Sequence, residues 1–256
     1  YYRGIGGIPK IGDPNNLKSA AVPAVIDLCV TALMRYGTLT FTDTIQPVLR
    51  ILDSGKEPWY PKLARTLRQL IDAEKESPGG RLEGLQSVSD RFYRGDIAKE
   101  LDVWYRKHDG LLRQEDLAEH KTFVEKPVKV DYRGYTIYKA GAWTQGPYLS
   151  QTLRLLEGFN LRRMGHLSPA YIHVVTEALK LALADRDSYY GDPRFVSVPL
   201  TKLLSNQYTL LRRPLINLKR ASFQIRPGDP YQMRPINLSR NYPPQGREKS
   251  NDTTTC

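Results

Sequence analysis

Hydrophobic positions recur at helical spacing through the first half of the chain. After Pro23, Val25, Leu28, Cys29, Ala32 and Leu33 fall at i, i+3, i+4, i+7 and i+8, which predicts a helix that buries this face and stops at Gly37. On this pattern Cys29 is a small buried hydrophobe. The stretch TLTFTDTIQPVLRILDSG restarts on a Thr or Asp cap and lines up Ile45, Val48, Leu49 and Leu52 before Gly55. YPKLARTLRQLIDAEK is a third amphipathic helix, with Pro61 suited to its first turn. Residues 81–121 read as further short helices punctuated by Gly95 and Gly110, so residues 21–121 form a helical lobe.

The period then changes. In KPVKVDYRGYTIYKA, Val128, Val130 and Tyr132 alternate, and Gly134 turns the chain into Thr136, Ile137 and Tyr138, which predicts a hairpin. GPYLSQTLRLLEGF and SPAYIHVVTEALKLALADRDSYYG return to helical period, the second opened by Ser168 and Pro169. Hairpin and helices together occupy 122–211. After Leu211 the period is lost and proline and arginine accumulate, so 212–252 reads as an extended, mobile connector. Residues 1–20 are irregular in pattern, and 253–256 close the chain. The fold class is α+β and helix-rich.

With 256 residues, 40% of them hydrophobic, the chain is long enough to bury a core. The run AAVPAVIDLCVTALM is broken by Pro23 and Asp27 and falls short of the roughly 20 apolar residues of a membrane span, so no span is expected. YYRGIGGIP lacks a basic segment, an apolar segment and an initial Met, so the start of the gene product is expected to be missing or removed. Cys29 and Cys256 are too few for a disulfide framework or a zinc site.

A net charge of +11 would ordinarily suggest a polyanionic partner. Nine Lys or Arg against two acids between Asn206 and Lys249 supply +7 of it, so the excess belongs to one segment. That segment has only Tyr208, Phe223, Tyr231 and Tyr242 to stack bases and no periodic basic face, which argues against nucleic acid as a partner. RGIGGIPKIG lacks the preceding strand of a dinucleotide motif. The four histidines are scattered, and His173 beside Glu177 reads as a structural pair. Asp185, Asp187 and Asp192 are either hard-cation ligands or the exit of a capped helix into a tight turn, and the pattern favours the turn. No metal and no cofactor is expected.

Four stretches carry a resemblance: SAAVPAVIDLCVTALMRYGTLTFTDTIQPVLRIL, YRGDIAKELDVWYRKHDGLLRQEDLAEH, the run from LLEGFNL through GHLSPAYIHVVTEALKLALADRDSYYGDPRFVSVPLTKLLS, and SNDTTTC. In order and spacing they resemble the large-subunit half of the γ-glutamyltransferase family, over most of 19–211 and the last seven residues. The resemblance implies an N-terminal-nucleophile hydrolase, made as one chain that cuts itself into two subunits forming a four-layer αββα sandwich. It implies a cut between Asp252 and Thr253, with Thr253 the nucleophile and 253–256 the start of a small subunit whose remainder is expected to be missing from this sequence. The partners it implies are a small subunit from the same precursor, which would supply the central strands and oxyanion donors, and a small-molecule amide. Arg3 is the candidate for holding the substrate's carboxylate. Departures bear on the substrate: WTQGP stands where a Ser-Ser-Gly-Gly stretch is usual, and Thr255 and Cys256 replace a His and an aromatic residue. WTQGP looks more like the amidohydrolase and acylase members than those using glutathione, and Thr255 and Cys256 argue against a true γ-glutamyl donor.

The position suits threonine chemically. A hydroxyl beside the preceding carbonyl can attack it, and cleavage frees an α-amino group of pKa about 7.7–8.0 that serves the same hydroxyl as general base. Two readings compete: a family member that neither cuts nor catalyses and acts as a structural or binding protein, and a basic anion-binding module. Taken without the other stretches, DTTTC reads as a polar chain end.

Overall fold

The structure, a computed structural model, describes residues 17–237. They fall into two compact units, one running up to Phe123 and the other from Val124.

The first unit is helical: α1 (Val25–Tyr36), α2 (Phe41–Leu52), α3 (Tyr60–Glu76), α4 (Arg81–Tyr93), α5 (Asp96–Lys107) and α6 (Gln114–Glu119). Leu49 and Leu52 of α2, Leu67, Leu70 and Ile71 of α3, and Leu85 and Val88 of α4 interlock as its main core. Each leucine so buried contributes about 1.5–3 kcal/mol relative to exposure. The start of α2 is secured by side chains. Thr40 caps α2 in a reciprocal box with Asp43. The Glu74 carboxylate of α3 accepts the Phe41 and Thr42 amides, each at 2.7 Å, which satisfies two more free donors of that first turn.

Helix α1 lies where its pattern predicts, but it is rotated. Val30 is buried, at 1% exposure, while Val25, Leu28 and Tyr36 stand at 67%, 54% and 79% and Cys29 is exposed. Cys29 is therefore not the buried hydrophobe its neighbours suggested. The reason is polar: Asp27 turns inward, accepting from Ser89 Oγ at 3.1 Å and from Thr122 N and Oγ1 at 2.8 and 2.6 Å. The Asp27 amide in turn donates to the Tyr93 hydroxyl. That anchor brings Ile26, Val30, Leu33 and Met34 against the core and leaves the other apolar stripe outside.

The second unit opens with the hairpin β1 (Val128–Tyr132) and β2 (Tyr135–Lys139), antiparallel with Tyr132 opposite Tyr135. Arg133 and Gly134 both take positive φ, 51° and 86°, the backbone that a two-residue hairpin turn requires. Then follow α7 (Gly146–Leu156), α8 (Leu161–Met164), α9 (Pro169–Tyr189), α10 (Leu200–Leu203) and α11 (Asn206–Arg212). Ser168 caps α9 and Ser205 caps α11 through their hydroxyls. Leu155, Leu156, Leu161, Val174, Ala178, Leu181 and Ile216 form the apolar core around α7 and α9. Among the described residues the only sheet is this hairpin, and no helix is long and apolar enough to cross a membrane. The chain is a helix-rich α+β protein.

Candidate functional site

Thr253 and Asp252, the expected nucleophile and cleavage position, lie outside the described residues, as does Arg3. What the structure does describe is the segment that precedes them in sequence, 213–237, and how the second unit holds it.

That segment is fixed by buried charge. Asp185 of α9 and Arg212, at the end of α11, pair at 3.2 Å, and both side chains have zero exposure. The Asp185 carboxylate also accepts from Gln151 Nε2 of α7 at 2.6 Å, from the Tyr208 hydroxyl at 3.1 Å and from the Gly228 amide at 2.7 Å. Arg212 spreads its donors over three carbonyls, Pro235 at 2.6 Å, Arg226 at 2.7 Å and Leu181 at 3.1 Å. A charge without solvent must be paired and hydrogen-bonded, and here half of the partners outside the pair are backbone groups of a segment whose regular structure is one short 3-10 turn, Arg213–Leu215. Burial pushes the Asp185 carboxyl upward against the pull of Arg212 and the other three donors, and it also raises the Tyr208 hydroxyl. Gln151 Oε1 and Arg212 Nε are buried without a partner among the described residues.

A second carboxylate sits two turns earlier on α9. Glu177, with 1% of its side chain exposed, accepts from Arg226 at 3.0 Å, from the Ser222 amide at 3.1 Å and from Lys180, which also donates to the Ser222 carbonyl. Burial works to raise its pKa, but these donors outweigh burial and hold it below the usual carboxylate range. His173 does not pair with Glu177; its Nε2 meets the Asn217 carbonyl at 2.7 Å.

The downstream segment closes on itself as well. Asp229 and Arg234 exchange backbone hydrogen bonds at 3.0 Å, and the Asn237 amide donates to the Pro227 carbonyl at 2.7 Å. Tyr189 Oη donates to the Gly228 carbonyl and accepts from Asn237 Nδ2 at 3.0 Å. The connector expected to be extended is thus tied down through Asn237, because its backbone groups satisfy charges buried on α9 and α11.

Chemically, these carboxylates are occupied acceptors rather than bases. Asp187 and Asp192 go to Arg186 and Arg194, so the three aspartates do not converge. Among the described residues no three His, Cys, Asp or Glu side chains gather as metal ligands. An open recess of about 260 Å³ is lined by Arg154, Glu157, Asn206, Thr209, Leu210 and Arg213, without a nucleophile–base pair. In WTQGP, Trp143 donates to Glu125 at 3.0 Å and Gln145 accepts from Arg186 at 2.7 Å. The Asp185–Arg212 network was not anticipated from sequence, although a signal existed: Glu177 and Asp185 fall on the same face of α9 as Val174, Ala178 and Leu181.

Residues 50–256 match the family model described as gamma-glutamyltranspeptidase. A glutathione hydrolase proenzyme from a Pseudomonas strain is 30% identical over 253 residues, covering 88% of this chain and 44% of that protein. An acylase ACY 1 proenzyme from another Pseudomonas strain is 30% identical over 231 residues, covering 80% and 41%. The Helicobacter pylori gamma-glutamyltranspeptidase structure matches with a TM-score of 0.71 at 25% identity, covering 88% of this chain and 72% of that one. The chain thus spans less than half the length of these curated relatives.

Proposed function

The chain belongs to the gamma-glutamyltranspeptidase family, and from that membership we propose that it is part of a self-processing amide hydrolase or acyltransferase whose nucleophile is Thr253. The observation that carries this reading is the reach of the family match, which runs through residue 256 and so includes the Asp252–Thr253 bond. The names of the relatives support it: the glutathione hydrolase and the acylase are both described as proenzymes.

In the cleavage step Thr253 Oγ attacks the Asp252 carbonyl carbon. The Asp252–Thr253 amide C–N bond breaks as the acyl group moves to oxygen, and the amine takes up the hydroxyl's proton. Water then hydrolyses the ester, leaving a C-terminal carboxylate on Asp252 and a free Thr253 hydroxyl and amine. With a pKa of about 7.7–8.0, the amine is partly neutral near pH 7.5 and serves as general base for the adjacent hydroxyl. An amide substrate acylates Thr253 Oγ and expels its amine, and water or a second amine takes the acyl group. The partner in this scheme is the small subunit from the same precursor, and Arg3 is the candidate contact for a substrate carboxylate.

Intact mass of the full-length gene product, beside a Thr253→Ala variant, tests the reading. Two fragments meeting at Asp252/Thr253 in the wild type alone are expected. One uncut chain in both overturns it and leaves a non-cleaving structural or binding member of the family, the role to which the Thr255 and Cys256 departures point.

A further inference from the structure

We infer that the Asp185–Arg212 clasp is a positioning device for cleavage at Asp252–Thr253, acting by fixing the point, Asn237, from which the chain runs on to that bond. This rests on the self-processing reading above. The two charged residues and Tyr208 are assigned no chemical step; they are positioning residues.

Three observations carry it. The first is cost. A buried ion pair is often no more stabilising than apolar side chains of the same volume, and apart from Glu177 the buried face of α9 around Asp185 is apolar, with Val174, Ala178 and Leu181. Holding helices together does not require Asp185 and Arg212. The second is where the hydrogen bonds go. The Gly228 amide and the Arg226 and Pro235 carbonyls, all in the downstream segment, make three of the clasp's six hydrogen bonds outside the pair itself. A stretch without regular structure acquires one conformation only through such partners. The third is closure at the exit. Asn237 is bonded through its backbone to Pro227 and through its side chain to Tyr189, itself on α9 and bonded to Gly228. The clasp, the loop and the exit point form one connected set. An intramolecular attack depends steeply on holding reacting atoms within reach, so fixing where the chain sets out raises the population of productive geometries.

Gly228 offers a way to displace this loop without removing a charge. A Cβ there would collide with the Tyr208 hydroxyl, its tightest approach, and come within 2.9 Å of Tyr208 Cζ and Arg212 Cδ. The experiment follows cleavage of newly made full-length gene product by intact mass, with melting temperature recorded for each variant. Gly228→Ala is expected to slow formation of the two fragments by tenfold or more. Adding Tyr208→Phe, which deletes the obstructing hydroxyl but also a hydrogen bond to Asp185, is expected to restore at least a threefold rate while lowering the melting temperature further. Tyr189→Phe, which removes the two hydroxyl bonds at the exit and leaves the Asn237–Pro227 bond and the clasp intact, is expected to slow cleavage about threefold or more. If the clasp only stabilised the fold, the double variant would cut more slowly than Gly228→Ala, in step with its stability.

Wild-type cleavage at Asp252/Thr253 with unaltered rates in Gly228→Ala and Tyr189→Phe would overturn the inference and leave self-processing standing. So would a double variant no faster than Gly228→Ala. A wild type that stays uncut overturns both, and is recognised without reference to any clasp variant.

Discussion

The two units are stabilised in different ways. Up to Phe123, the residues with no exposure at all are mostly apolar, among them Leu70, Leu85, Val88 and Leu117, and the carboxylates sit at helix ends and edges. From Val124 onward the fully buried set includes Asp185 and Arg212 beside Leu181, Leu203 and Tyr208. An apolar core accepts swaps of similar volume at modest cost. A buried charge network does not accept the loss of one member, because the survivor keeps its full desolvation penalty. The first unit is expected to tolerate side-chain variety, and the second to be exacting at a few positions.

The largest break in this contrast is Arg212→Met. It leaves Asp185 without its counter-charge and three backbone carbonyls without their donor, and it should cost about 3–5 kcal/mol in the urea-unfolding transition of the second unit. Combining it with Asp185→Leu should cost less than the sum of the two single changes, since the double variant buries no unpaired charge. A loss under about 1 kcal/mol for Arg212→Met alone would mean that the pair is not the clasp described.

A smaller effect separates the units by pH. Asp27 is the polar anchor of the first unit, with 15% of its side chain exposed. Burial alone would raise its carboxyl, but hydrogen bonds from Thr122 and Ser89, with the His120 ring nearby, hold it below the usual range. A depressed carboxylate contributes stability in full above its unfolded pKa of about 3.9, and loses it as pH falls through the lower folded value. Asp27→Asn should therefore cost about 1 kcal/mol near pH 7. Its deficit against wild type should shrink below about pH 4. A deficit that grows as the pH drops would contradict the depressed carboxyl.

The same residues show what the sequence could and could not convey. Helical period, capping Ser and Thr, and the Arg133–Gly134 turn are local, and they located α2, α3, α7, α9 and the hairpin correctly. Which way a helix faces is not local when both sides are apolar. Asp27 decides it for α1 through Ser89 and Thr122, 62 and 95 positions away. The order lent to 213–237 is equally remote. The prolines and arginines there remove periodicity, and the partners that order the stretch are single ionisable residues inside apolar faces of α9 and α11. In the sequence Arg212 is one of nine positive charges between Asn206 and Lys249, because its burial depends on Asp185, 27 positions upstream. Of the candidate site, the peptide at Asp252–Thr253 was legible as a family resemblance, whereas the clasp upstream of it was not legible at all.

The smallest expected effect, that of Leu28→Ala set beside Val30→Ala, is also the sharpest test of how α1 faces. Val30 and Leu28 are two residues apart on one helix and of similar hydrophobicity, but they stand at 1% and 54% exposure. Val30→Ala removes two buried methyl groups and leaves a cavity beside the core, at a cost of about 1–3 kcal/mol. Leu28→Ala removes atoms already largely in water and keeps a good helix former, so in the 256-residue chain it should lie within about 0.5 kcal/mol of wild type. Urea denaturation of the two variants measures the difference directly. Equal losses would mean that α1 is packed on both sides. The reverse order would restore the face that period alone had selected, and with it a buried Cys29, which thiol labelling of the folded chain would then fail to reach.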